Sequence, residues 1–118
     1  MARRILIVDD HPGFRRSAAR SLGAAGWEVV GEAEDGAAAL RLVPEREPDV
    51  VLLDIGLPDV SGIEVARQLL ERSPGLAVVM VSTHDRADYG ALATASGARG
   101  FLSKMDLSAT ALEALVES

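Results

Sequence analysis

The chain has 118 residues, no cysteine, and eighteen acidic against twelve basic side chains, for a formal net charge of −6. That length fits one domain around a single hydrophobic core and excludes two, while the missing thiols exclude cysteine nucleophiles, disulfide frameworks and cysteine-ligated metal sites. The acidic balance disfavours direct contact with nucleic acid, and no apolar run approaches the roughly 18 residues of a membrane span, so a cytoplasmic protein without a membrane partner is expected.

The first strand is the short apolar run Ile5-Leu6-Ile7-Val8. Phe14, Ala18, Leu22 and Ala25 then recur at helical spacing, with Arg15, Arg16 and Arg20 on the opposite side and Gly26 placed to close the helix. Glu28-Val29-Val30-Gly31-Glu32 alternates and reads as an edge strand, with Trp27 packing at its start. Asp35 can cap a second helix through Leu40 and Val43, and Pro44 marks where it should fail. Val50-Val51-Leu52-Leu53 is apolar at every position, as a strand covered on both faces requires.

Ser61 followed by Glu64 forms a capping box that opens a third helix, burying Ile63, Ala66 and Leu70 and stopping before Pro74. A fourth strand, Ala77-Val78-Val79-Met80-Val81, is again wholly apolar. The fourth helix, residues 86–96, is alanine-rich with Gly90 inside it and should pack most loosely. Gly100-Phe101-Leu102-Ser103 is a short second edge strand, and the last helix, residues 107–116, presents Leu112, Leu115 and Val116 to the core.

Strand and helix alternating five times is the pattern of βα units feeding a parallel sheet. Right-handed crossovers with helices on both faces make this (βα)5 chain a doubly wound sheet, most simply of strand order 2-1-3-4-5. Ligands of such sheets bind beyond the carboxyl ends of the strands, in the crevice where the order reverses. Strand one runs into Asp9 and Asp10, strand three into Asp54, strand four into Ser82 with Thr83 beside it, and strand five into Lys104.

Singly, each of these residues has an ordinary explanation. The Asp pair before His11-Pro12 could cap a helix, Asp54 could start a turn, Ser82 could bond to backbone and Lys104 could be a solvated charge. Together they gather three like charges at one edge, which packing gives no reason to do. Neighbouring carboxylates repel, and a divalent cation relieves them. Oxygen-only ligands suit Mg2+ and also Mn2+, which take one or two carboxylates together with phosphate oxygens. An Asp carboxylate beside such a cation can act as a nucleophile towards phosphorus. Lys104 and the Ser82 or Thr83 hydroxyl can then neutralise or bond the phosphoryl oxygens, and Gly56, lacking a side chain, can bring its carbonyl close to the cation.

The stretches Ile5-Leu6-Ile7-Val8-Asp9-Asp10-His11-Pro12, Pro48-Asp49-Val50-Val51-Leu52-Leu53-Asp54-Ile55-Gly56-Leu57-Pro58 with Gly62, Val79-Met80-Val81-Ser82, and Gly97-Ala98-Arg99-Gly100-Phe101-Leu102-Ser103-Lys104 resemble a response-regulator receiver domain over the whole length, residues 1–118. The resemblance implies a flavodoxin-like fold, with Asp54 as phosphoacceptor, Asp10 as a direct Mg2+ ligand and Asp9 holding the ion mainly through water. The Gly56 carbonyl would complete the ligands, Lys104 would pair with the phosphoryl group, Ser82 would be the switch hydroxyl, and Phe101 would sit at the aromatic switch position. The Asp-Asp-His-Pro opening and Val29-Val30-Gly31-Glu32-Ala33 resemble receivers of the LuxR-type helix-turn-helix transcription factors, although no such effector is expected within these residues, which read as an excised domain or a stand-alone regulator. Receivers commonly carry proline after the lysine. Here Met105 follows, and a trans Lys104–Met105 bond is expected.

The implied function is a signalling switch and not an enzyme with external turnover: it would catalyse only its own phosphorylation and dephosphorylation. Its expected partners are a sensor histidine kinase, a downstream effector and a phosphorylation-dependent second copy, contacted through helix 4, strand 5 and helix 5. The alternatives are a receiver-like interaction module that works without phosphate, an aspartate-dependent phosphohydrolase, and a flavin carrier. The phosphohydrolase lacks the usual second acid where Gly56 stands, and the flavin carrier lacks a glycine-rich phosphate loop. His11 reads as a surface or locally bonded residue, His84 as a group able to tune water access, and Tyr89 as a partner contact or an ordinary surface tyrosine.

Overall fold

The computed structural model describes residues 3–83 and 87–117. Five strands, β1 (Arg4–Val8), β2 (Glu28–Ala33), β3 (Val50–Asp54), β4 (Ala77–Ser82) and β5 (Gly100–Ser103), alternate with helices α1 (Pro12–Ala24), α2 (Gly36–Arg46), α3 (Gly62–Arg72), α4 (Ala87–Ala95) and α5 (Ala109–Glu117). All four strand pairings are parallel, in the order β2-β1-β3-β4-β5. This is the expected doubly wound arrangement. Because side chains alternate along a strand, Leu6, Val8, Val51, Leu53, Val78 and Met80 meet α2, α3 and α4 on one face. Ile5, Ile7, Val50, Leu52, Val79 and Val81 meet α1 and α5 on the other. The three central strands are buried on both faces, which is why they are apolar apart from Arg4, Asp54 and Ser82 at their ends; β2 and β5, at the edges, are only partly covered.

Helix α1 closes as its sequence predicts. Gly26 takes a positive φ of 99°, the Trp27 N–H bonds to the Leu22 carbonyl and the Gly26 N–H to that of Gly23, a Schellman stop that a glycine accepts without strain. Ala25 lies at the cap and is exposed, so it contributes nothing to the apolar face. Trp27 is buried at the start of β2, as expected.

Three helix expectations need correction. Pro44 does not end α2, which runs on to Arg46. The ring falls in the last turn, and the terminal carbonyls are taken up from outside: Arg4 donates to the Arg46 carbonyl at 2.5 Å and to that of Glu47 at 3.4 Å. The buried stripe of α3 is centred on Val65, Ala66 and Leu69, leaving Ile63 and Leu70 half-buried at its margins. Only half of the capping box forms, since Ser61 Oγ accepts from the Ile63 N–H while Glu64 turns to Arg67 and Gln68. Finally, α5 starts two residues late, after a 3-10 turn over Lys104–Asp106, and Ser108 Oγ caps it through Ala111. Leu112 and Val116 are buried as expected, and Leu115 is half-buried. Arg86, at the predicted start of α4, and His84 lie outside the described residues.

Candidate functional site

At the carboxyl ends of β1, β3 and β5 the structure brings Asp9, Asp10, His11, Asp54 and Lys104 together. Each arrives there because an apolar strand ends against it. Asp9 follows Val8, and its N–H still pairs with the Ala33 carbonyl of β2 at 2.9 Å. Asp54 is the last residue of β3, opposite Val81 of β4. Lys104 begins the turn after β5, and its peptide bond to Met105 is trans.

The burial of these charges is unusual. Asp9 is fully buried, Asp54 is 4% exposed and the Lys104 side chain 9%, whereas such residues are seldom buried unless paired. Lys104 Nζ lies 2.5 Å from Asp9 Oδ2 and 3.4 Å from Asp54 Oδ2. It also sits 3.5 Å from His11 Nδ1 and 4.4 Å from the centre of the Phe14 ring. In this state the lysine pairs more closely with Asp9 than with Asp54. His11 makes the local bonds expected of it: its N–H and Nδ1 approach Asp9 Oδ1 at 2.8 and 2.9 Å, and Nδ1 lies 3.2 Å from Asp10 Oδ1.

One ammonium does not balance three carboxylates. Burial, reinforced by the neighbouring Asp9 charge, pushes the Asp54 carboxyl above its ordinary value, against the opposing pull of the Gly56 N–H and Lys104. Asp9 Oδ2 and Asp10 Oδ1 are shut off from solvent, with the Lys104 ammonium and His11 Nδ1 as their nearest polar neighbours. Ligand atoms of Asp9, Asp10, His11 and Asp54 all lie within 4.8 Å of one another. Hard oxygen donors shut off from solvent and an excess of negative charge together fit a small divalent cation such as Mg2+.

The β3–α3 loop completes the rim. The Gly56 N–H donates to Asp54 Oδ1 at 3.1 Å. A Cβ on Gly56 would meet only that oxygen, at 4.0 Å, so packing against the protein's own atoms does not require glycine there. The steric demand falls on Gly62, where a Cβ would stand 2.2 Å from the Asp54 carbonyl oxygen and 2.8 Å from Ile55 Cα. Only a glycine lets α3 begin directly against the end of β3, and its N–H seals the contact by bonding to the Ile55 carbonyl at 2.8 Å.

Ser82 ends β4 one residue past the partner of Asp54 and is buried; Thr83 beside it is exposed. Phe101, on β5, is half-buried and meets the Tyr89 ring of α4 edge-on at a centroid distance of 5.8 Å. Three nearby residues escaped the sequence reading. Arg15, assigned to the solvent side of α1, instead folds back to donate to the Asp9 carbonyl at 2.6 Å and to Glu32 at 3.3 Å. Phe14 lies against the lysine, and Asp59 bonds across to α2. Position on α1 two turns or fewer from the Asp pair was the available signal for the first two; nothing local marked Asp59.

Residues 5–117 match the family model described as the response regulator receiver domain. The transcriptional regulatory protein DegU of Brevibacillus brevis is 42% identical over 101 residues, which cover 85% of this chain and 43% of that protein. The chain spans about half the length of the curated relatives it matches. Among solved structures, a LuxR-family two-component response regulator from Aurantimonas sp. SI85-9A1 superposes with a TM-score of 0.91 at 31% identity, covering 99% of this chain and 86% of the other. The signal receiver domain of the response regulator NarL from Mycobacterium tuberculosis gives 0.86 at 38% identity, with 99% and 98% covered. The chain belongs to the response regulator receiver domain family.

Proposed function

We propose that this receiver is a phosphoacceptor switch in which Asp54 takes a phosphoryl group from a phosphohistidine of a sensor histidine kinase and the α4, β5, α5 face reports it to an output. The observation that carries this reading is the convergence of Asp54, Lys104 and the Asp9–Asp10 pair at one strand-end crevice. Residues 1–118 act as one domain in the cytoplasm, and the transcriptional regulators among its relatives point to control of transcription as the output.

In the transfer, one Asp54 oxygen forms the new P–O bond as the P–N bond of the donor breaks. The bonding pair stays with the imidazole nitrogen, whose ring carries its proton on the other nitrogen and so leaves neutral. Lys104, already 3.4 Å from Asp54 Oδ2, supplies a positive charge to a phosphoryl oxygen. The Ser82 hydroxyl donates to another, with Thr83 adjoining. Asp9, Asp10, Asp54 and the Gly56 carbonyl would hold Mg2+, or Mn2+ in its place, which when bound would neutralise charge on the phosphoryl oxygens. Drawing Ser82 towards phosphate biases Phe101 inward, and Tyr89, packed on its edge, must follow. The switched face would then favour the effector or a second copy of the chain. Hydrolysis of external phosphate esters is not favoured, because Gly56 stands where a phosphohydrolase needs its acid.

Incubation with acetyl phosphate and Mg2+, followed by intact mass measurement, should show a single phosphoryl adduct that Asp54→Asn abolishes. An adduct that persists unchanged in Asp54→Ala would overturn the assignment. Beryllofluoride with Mg2+ should shift the amide resonances of Ser82, Tyr89 and Phe101; silence there would remove the output side of the proposal.

A further inference from the structure

We infer that Asp59 is a positioning residue for the phosphoacceptor loop, a latch that ties residues 55–61 to the N-terminus of α2 and keeps that loop in its cation-binding arrangement. The inference rests on reading the acidic crevice as the dication and phosphoryl site.

Helix α2 opens with amides that have no partner inside the helix. Asp35, its own cap residue, takes only the Ala38 N–H, at 2.8 Å. The Gly36 and Ala37 amides donate instead to Asp59 in the β3–α3 loop, at 2.9 Å to Oδ1 and 3.1 Å to Oδ2. The Val60 N–H adds a third bond to Oδ1 at 2.9 Å. These amides hold the Asp59 carboxyl below its ordinary value, the Gly36 bond foremost, so the latch is anionic at neutral pH and faces the positive end of the helix.

The contact is also tight. A Cβ on Gly36 would stand 2.4 Å from Val60 Cγ1, 2.9 Å from Val65 Cγ2 and 3.2 Å from Asp59 Oδ1. The loop is therefore pinned at its start by the Gly56 N–H on Asp54, at its end by Gly62 on Ile55, and in the middle by the hydrogen bonds of Asp59, beside the apolar packing of Leu57 and Val60. Gly56, whose carbonyl the site requires, lies three residues from that middle anchor. If Asp59 is cut, the loop samples other conformations, and apparent cation affinity falls in proportion to the competent fraction.

The test compares wild type, Asp59→Ala, Asp59→Asn and Asp35→Ala for Mg2+ binding by calorimetry, alongside melting temperature and amide hydrogen exchange. Both alanine variants lose α2 caps and should melt earlier. Only Asp59→Ala should bind Mg2+ more weakly, by about threefold to tenfold. Asp59→Asn, which keeps one acceptor oxygen, should fall between it and wild type and serves if the alanine variant folds poorly. By reciprocity, Mg2+ should slow exchange at Gly36 and Ala37 in wild type and leave it unchanged in Asp59→Ala. Equal Mg2+ affinity in Asp59→Ala and Asp35→Ala overturns the latch while leaving the site intact. A wild-type chain that binds no Mg2+ overturns the site and the latch with it.

Discussion

Gly62→Ala is the substitution whose effect the geometry fixes most narrowly. The added Cβ would lie 2.2 Å from the Asp54 carbonyl oxygen, 2.8 Å from Ile55 Cα and 3.0 Å from the Asp54 carbonyl carbon. All three are backbone atoms, so no rotamer change relieves the overlap. Either α3 backs away and loses part of the contact of Val65, Ala66 and Leu69 with the sheet, or the end of β3 moves and takes Asp54 with it. Overpacking without a soft neighbour costs about 3 kcal/mol, the upper part of its ordinary range, which for a domain of this size lowers the melting temperature by about 10 °C. Gly23→Ala is the control: it sits in α1 with nothing within 4 Å of its would-be Cβ, and should gain about 0.5–1 kcal/mol from helix propensity. Urea unfolding followed by the single tryptophan, Trp27, which is 6% exposed, reports both. A Gly62→Ala protein as stable as Gly23→Ala would refute the packing argument.

The remaining predictions concern charge. Because the folded state holds the Asp54 proton more tightly than the unfolded chain does, the stability from this group is complete below the ordinary carboxylate range, about pH 4, and is lost as pH rises through the higher folded value. In EDTA, Asp54→Asn should therefore flatten the pH profile of urea midpoints above the ordinary carboxylate range; parallel profiles would count against a strained Asp54. Lys104→Ala leaves Asp9 buried without its ammonium and should lower metal-free stability by about 3–5 kcal/mol, a loss that added Mg2+ partly reverses in thermal melts. Tyr89→Ala removes the edge contact with Phe101 and should cost about 0.5–1.5 kcal/mol beyond buried area, measured against Phe101→Ala in a double-mutant cycle.

The β-branched runs and the charged residues that terminate them made the sheet and its crevice legible, because a strand buried on both faces admits no polar residue until it ends. Asp9 and Asp54 were found in that way, and Lys104 at the end of the partly covered edge strand β5. The failures arose where distant segments supply what local sequence lacks. Pro44 looks like a stop until Arg4, forty residues away, satisfies the carbonyls beyond it. Arg15 looks like a solvated helix residue until the Asp9 carbonyl draws it in. Asp59 looks like a turn residue, and its work is done on α2, which precedes it in the chain and meets it only after folding. The face of α3 was displaced because Ile63, Ala66 and Leu70 share a helical period with Val65 and Leu69, and period alone does not choose between adjacent stripes.

Borohydride trapping of the phosphorylated chain bears most directly on the claim that the acidic crevice exists to form an acyl phosphate on Asp54. An aspartyl phosphate is reduced to homoserine, and peptide mass spectrometry then locates it. The account predicts homoserine at position 54 alone, after acetyl phosphate with Mg2+ and not after acetyl phosphate with EDTA. Homoserine at position 9, 10 or 59, or equal yield at position 54 in EDTA, would contradict it.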